Sequence, residues 1–192
     1  MPDALELLKK RKSISASFLA PPAPSAAELT EIFTVASRVP DHGKLTPWRF
    51  IVFEGEARRE ASDALAGLYQ RQHPEATPKQ IEDEQKRFVQ APLVVVVVSR
   101  AAPHPKIPEW EQVLSGGSAA MNLVLATHAL GYAAQWTTGW VAYDQDAARI
   151  LGLAPGERVV AIIHIGTATV PPVDRPRPPL TDIVTYWTSR AA

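Results

Sequence analysis

Residues 92–99, PLVVVVVS, constrain the fold more than any other stretch of the chain. Val94 to Val98 are consecutive β-branched residues, the signature of a strand covered on both faces. Such a strand needs a layer on each side, so helices are expected above and below a central sheet. RVVAIIHIG (158–166) reads as a second buried strand, RFIVF (49–53) as a third, and AAQWTTGW (133–140) as a fourth with its exit.

The covering helices announce their starts. Asp3 with Glu6, Ser25 with Glu28 and Thr77 with Gln80 have the spacing of capping boxes, and Pro78 takes the tolerated first helical position. Leu29, Ile32, Phe33 and Ala36 form an apolar stripe that Pro40 terminates. Further helices are expected over about 56–68, 78–90 and 109–130, with a short one from Asp144 to Leu151. Gly131 and Gly152 read as C-terminal stops. The order is α-α-β-α-α-β-α-β-α-β followed by a tail, a mixed α/β (α+β) arrangement rather than a clean β-α-β alternation.

A chain of 192 residues supports one sizeable core, so a single domain over 1–192 is expected. VPPVDRPRPPL is too proline-rich for regular structure, and the tail from 170 onward cannot bury Ile183, Val184, Tyr186 and Trp187 by itself. It must lie on something, and a second subunit is the natural candidate.

Several chemistries are excluded. Twenty basic residues balance twenty acidic ones, so no global field draws the chain to nucleic acid or anionic lipid. The absence of cysteine removes disulfides, thiolate nucleophiles and Cys-type zinc sites, and fits a cytoplasmic location. The five histidines have no metal-ligand spacing, so no metal is expected. LSGGSAA (114–120) lacks the G-x-S-x-G elbow, and Glu109 and Glu111 point to different faces of a helix, so they form no carboxylate pair. The uncharged stretch 116–136 is a poor membrane span because of Asn122, Thr127, His128 and Gln135; it reads as a helix buried on most sides.

What remains is a set of cations at element ends. KRKS (10–13) is either a solvated helix end or a place where Arg11 and Ser13 meet a phosphate or a polar ring edge. RPRPP (175–179) holds Arg175 and Arg177 on a stiff backbone, as a linker or as a phosphate grip. QWTTG (135–139) offers an amide, an indole and two hydroxyls to a planar heterocycle, or is an ordinary strand end. SRVPDHGKLTPWRF (37–50) gathers Arg38, His42, Lys44 and Arg49 around a corner.

Together with LELLKKRKS, VASRVPDHGKLTPWRF, APLVVVVVS, PEWEQVLSGGSAAMNLVLATHALGY, QWTTG and HIGTATVPPVDRPRPPLTDIV, these segments make the chain resemble the FMN-dependent nitroreductase family, in its short bacterial YdjA type. The resemblance implies a nitroreductase-like fold with a central, mainly antiparallel sheet flanked by helices, in an intertwined homodimer. FMN would lie at the interface and the 170–192 extension would pack on the other subunit. Carried over by position, Arg11, Lys12 and Ser13 would bind FMN from one subunit, and Arg38 and His42 would reach it from the other. Trp136, Thr137 and Thr138 would line the isoalloxazine or ribityl side, and Arg177, in preference to Arg175, would hold the phosphate. Residues 126–131 would correspond to a nicotinamide-nucleotide region. Arg49 would be only a structural cation.

The implied activity is that of an FMN-dependent NAD(P)H oxidoreductase of the nitroreductase kind. It would reduce nitroaromatic, quinone or similar acceptors by ping-pong hydride transfer through flavin N5, with no side chain required as a general base. A dimeric flavin-binding protein without NAD(P)H turnover, or a relative that uses reduced FMN as substrate, is the alternative. Ala16 and Thr137 stand where family members often carry arginine.

Overall fold

The protein is described by a computed structural model covering residues 3–188. Its frame is a sheet whose recorded pairings are all antiparallel. Strand β5 (Arg158–Ala168) is the hub: it pairs with β3 (Leu93–Ser99), with β4 (Ala133–Thr137) and, at its last two residues, with β1 (Leu19–Ala20). Strand β2 (Trp48–Glu54) pairs with the other side of β3.

All seven residues of β3 are buried, as the valine run requires. Successive side chains of a strand point to opposite faces. Leu93, Val95 and Val97 therefore join one core, with Ile32 and Ala36 of helix α2 (Ala26–Ala36) and Ala120, Leu123 and Val124 of α5 (Glu109–Ala129). Val94, Val96 and Val98 join the other, with Leu65 of α3 (Glu56–Gln72), Leu151 and the fully buried Phe88. Each fully buried valine contributes roughly 1.5–3 kcal/mol relative to exposure.

Helix α1 (Ala4–Lys10) precedes β1, α4 (Pro78–Lys86) follows α3, α6 (Gln145–Ile150) follows β4, and α7 (Leu180–Ile183) is a single turn in the tail. The boxes of Ser25 with Glu28 and Thr77 with Gln80 form reciprocally. At Asp3 only half of the box forms: its carboxylate accepts from the Leu5 and Glu6 N–H groups, while Glu6 turns to Lys10 at 2.5 Å. The two-residue β1 was not expected from the sequence. Helix α4 stops at Lys86 instead of reaching residue 90, because the chain turns inward to bury Phe88, whose N–H donates to Ser62 Oγ at 2.9 Å.

Helix α5 is buried or half-buried at every residue from Ser115 to Ala129, as expected of a helix covered on most sides, and is open only in its first turns. There Trp110 is 68% exposed and Leu114 51% exposed. Among the described residues no helix is long and apolar enough to cross a membrane. The tail beyond β5 is exposed along its length, with Tyr186 and Trp187 each 87% accessible.

Candidate functional site

The basic end of α1 is anchored from two directions. The Ile14 N–H donates to Ala134 O at 3.3 Å and the Ala16 N–H to Gln135 Oε1 at 2.6 Å, strapping residues 14–16 along β4. From the other side, Thr169 donates both its N–H and its hydroxyl to Phe18 O at 3.0 Å. The chain leaving β5 is thereby led back across the end of α1. Lys12 Nζ lies 3.3 Å from Asp174 Oδ2, and Arg177 Nη2 lies 3.8 Å from the same carboxylate.

Lys12 and Arg177 thus approach a single carboxylate, Asp174, which also accepts from the Arg175 N–H, and Arg11 lies close enough to feel the charges of Arg177 and Arg175. Burial, then the like charges of Arg177 and Arg175, lowers the Arg11 pKa from its ordinary value. The Arg175 N–H and Lys12 hold the Asp174 pKa below the usual carboxylate range. Like charges assembled with so little compensation favour an anion.

A cleft of about 420 Å³ opens beside these cations, lined among others by Glu6, Arg11, Lys12, His128, Gly131 and Tyr132 and by Lys10, with which Glu6 pairs. Its floor is the C-terminus of α5, closed by a Schellman arrangement. The Gly131 N–H donates to His128 O and the Tyr132 N–H to Thr127 O. Gly131 adopts φ 89°, which glycine reaches without steric strain. Burial, and then the charge of Arg11, pushes the His128 pKa down to about 4, so the ring is neutral at neutral pH. Its Nε2 is buried with no hydrogen-bond partner among the described residues. Surplus cations at one cleft fit a phosphate-bearing ligand.

Arg38 and His42 are not part of this cluster. His42 Nδ1 lies 2.7 Å from Glu111 Oε2, in the first turn of α5, whereas Arg11 faces His128 in its last turn. Seventeen helical steps lead from Glu111 to His128, roughly 25 Å at about 1.5 Å per residue. Arg38 is exposed at the end of α2, its carbonyl accepting from Asn122 Nδ2 at 3.1 Å.

The basic corner of the sequence also disperses. Arg49 makes a two-pronged contact with Glu157, 2.8 Å from Nε and 2.6 Å from Nη2, and donates to Gly152 O at 2.8 Å. It is a structural cation. Glu109 approaches Arg158 at 3.9 Å while Glu111 holds His42, so the two carboxylates do serve different faces.

Ser13 is exposed next to Lys12. Trp136 is partly exposed on β4, Thr138 is half-buried just beyond it, and Thr137 donates its hydroxyl to Ile162 O at 3.2 Å. Ala16 is buried, so its position has no room for a longer chain without rearrangement. Within 126–131, Ala126 and Thr127 face the core, and His128 and Gly131 line the cleft. Sequence reasoning missed Glu111, Gln135 and Asp174 as organisers of the site. Only Asp174 carried a local signal, a lone carboxylate inside an arginine-proline run.

The nitroreductase family profile matches residues 8–167. A protein of Escherichia coli (strain K12) named "Putative NAD(P)H nitroreductase YdjA" is 34% identical over 171 residues, covering 86% of this chain and 88% of that protein. A nitroreductase-like family protein from Bacillus cereus superposes with a TM-score of 0.81 at 23% identity, covering 97% of this chain and 96% of its own. The FMN and NADPH-dependent nitroreductase NfnB from sphigopyxis sp. strain HMH superposes with a TM-score of 0.72 at 21% identity, covering 97% and 100%. The fold is nitroreductase-like, and the chain belongs to the nitroreductase family.

Proposed function

We propose that the protein is an FMN-dependent NAD(P)H oxidoreductase acting as a homodimer, with one flavin at each of two sites shared between subunits. The observation that carries this reading is the surplus of cations, Arg11, Lys12, Arg175 and Arg177 against Asp174, beside a cleft that Arg11, Lys12 and His128 line. When bound, flavin supplies electron transfer from NAD(P)H to a small acceptor such as a nitroaromatic or a quinone.

The protein's own residues bind, orient and compensate charge. Arg177 takes the phosphate, with Arg175 beside it. Arg11 or Lys12 stabilises negative charge developing on the ring, and Ser13 adds a hydroxyl. Trp136, Thr137 and Thr138 line the ring or ribityl side. His42 lies at the far end of α5 within one chain and Arg38 beside Asn122 partway along it, and both are assigned to the flavin held mainly by the other subunit. A two-fold packing that lays α5 antiparallel to its copy would bring the two ends together.

On this reading residues 1–192 form one domain, and the exposed 170–192 extension lies on the second subunit. A cytoplasmic location accords with the cysteine-free composition.

The test is anaerobic rapid mixing of the FMN-loaded protein with NADH and with NADPH. Bleaching of the visible flavin band within a catalytic turnover, and its return on adding a nitroaromatic or quinone, is the expected result. A band that persists with both nucleotides would leave a flavin-binding protein without this turnover, and would overturn the enzymatic reading.

A further inference from the structure

His42 sits in a corner more firmly built than an exposed side chain requires. Gly43, Lys44 and Thr46 have φ values of 72°, 55° and 47°. For a β-branched residue such as Thr46 the left-handed region is unfavourable. Asp41 holds the turn by accepting from the Leu45 N–H at 3.0 Å and the Thr46 N–H at 2.9 Å, and Arg100 Nη2 donates to Thr46 O at 2.7 Å. A Cβ added to Gly43 would meet Ile107 Cδ1 at 2.2 Å, so the turn abuts the loop that leads into α5.

The facing element is equally fixed. Gln112 is only 5% exposed; its Oε1 accepts from the Ala102 N–H at 3.1 Å and its Nε2 donates to Ala102 O at 2.8 Å. Its neighbour Glu111 presents Oε2 at 2.7 Å from His42 Nδ1. A carboxylate accepts only, so His42 Nδ1 carries the proton and Nε2 is left on the opposite edge of the ring. The two side chains are 63% and 47% exposed, and a pair at such a surface contributes at most about 1 kcal/mol to folding. Stability alone does not account for a strained turn and a buried glutamine that together aim one imidazole.

We propose that Glu111 is a positioning residue: it fixes the tautomer and direction of His42, so that Nε2 is presented to the flavin carried mainly by the other subunit. This rests on the reading of His42 as a flavin contact. Glu111 itself touches neither flavin nor acceptor; it acts through His42.

The test has two arms. In the FMN-free protein, side-chain ¹⁵N–¹H correlation spectra, assigned with H42A, report which His42 nitrogen bears hydrogen. The wild type is expected to show the Nδ1–H form, Glu111→Ala to lose it, and Glu111→Gln, whose amide oxygen still accepts, to keep it. In the second arm, FMN titration by flavin fluorescence is expected to show E111A weakening binding roughly fivefold to tenfold. E111Q should stay near wild type, and E111A should add nothing in an H42A background. An unchanged tautomer in E111A, or an equal loss of affinity with and without His42, would overturn the proposal. If wild type binds no FMN, the flavin reading and the flavin-facing half of this proposal both fall, while the tautomer arm still decides whether Glu111 orients His42.

Discussion

His164 and His128 carry the same ring into two kinds of burial. Both pKa values are pushed down to about 4, first by burial and then by a neighbouring arginine, Arg87 for His164 and Arg11 for His128. The folded protein therefore takes up these protons later than the unfolded chain as pH falls. Their stabilisation is complete above pH 6.5, is lost between 6.5 and about 4, and changes no further below that. For His164, 4% exposed against Phe88 and with Nδ1 unpartnered among the described residues, the loss is on the order of 3 kcal/mol. Replacing it with leucine is expected to cost less than about 1.5 kcal/mol at pH 7.5 and to flatten the decline of the urea midpoint between pH 6.5 and 4.5. An unchanged slope would argue against the buried neutral ring. At the cleft, R11A and R177A are each expected to weaken FMN binding roughly tenfold or more, read by fluorescence titration, while R59A on the surface should not. The cations were legible because KRKS and RPRPP are dense in charge. Glu111 and Gln135 were not, because their partners lie 69 and 119 residues away and nothing local marks the pairing.

At the scale of elements, ends were more readable than edges. The valine run, the α2 and α4 caps and the glycine stop after α5 each rest on a local rule that the structure obeys. Strand β1 was invisible because two residues carry no periodicity; it exists only because β5 extends far enough to pair with it. Ser25→Ala removes a reciprocal box and is expected to cost about 1 kcal/mol in urea unfolding. Gly131→Ala imposes a left-handed conformation on a residue with a Cβ and is expected to cost about 1–2 kcal/mol. Because it moves the end of α5 beneath His128, it should also weaken FMN binding. T77A, which opens the reciprocal box of α4 and involves no residue lining the cleft, should leave binding intact, and equal effects of G131A and T77A would count against the cleft as the binding place.

For the whole molecule, the single chain leaves unfinished the tail and the open first turns of α5. Tyr186 and Trp187 are large, apolar and almost fully exposed, a state that rarely persists without a covering surface. If the tail lies on a second subunit, Trp187→Ala should loosen self-association by roughly tenfold to a hundredfold in sedimentation velocity, the effect of removing an interface anchor. If it lies on nothing, association should be unaltered and stability should change by less than about 0.5 kcal/mol. Sequence pattern led to the expectation that this tail needs a partner surface, whereas its position on such a surface depends on a second chain. The most direct test of the account as a whole is the visible absorbance spectrum of the purified protein, before and after incubation with FMN and removal of the excess. A yellow protein with the flavin band at one FMN per chain is the predicted result; a colourless protein that FMN cannot reconstitute would contradict it.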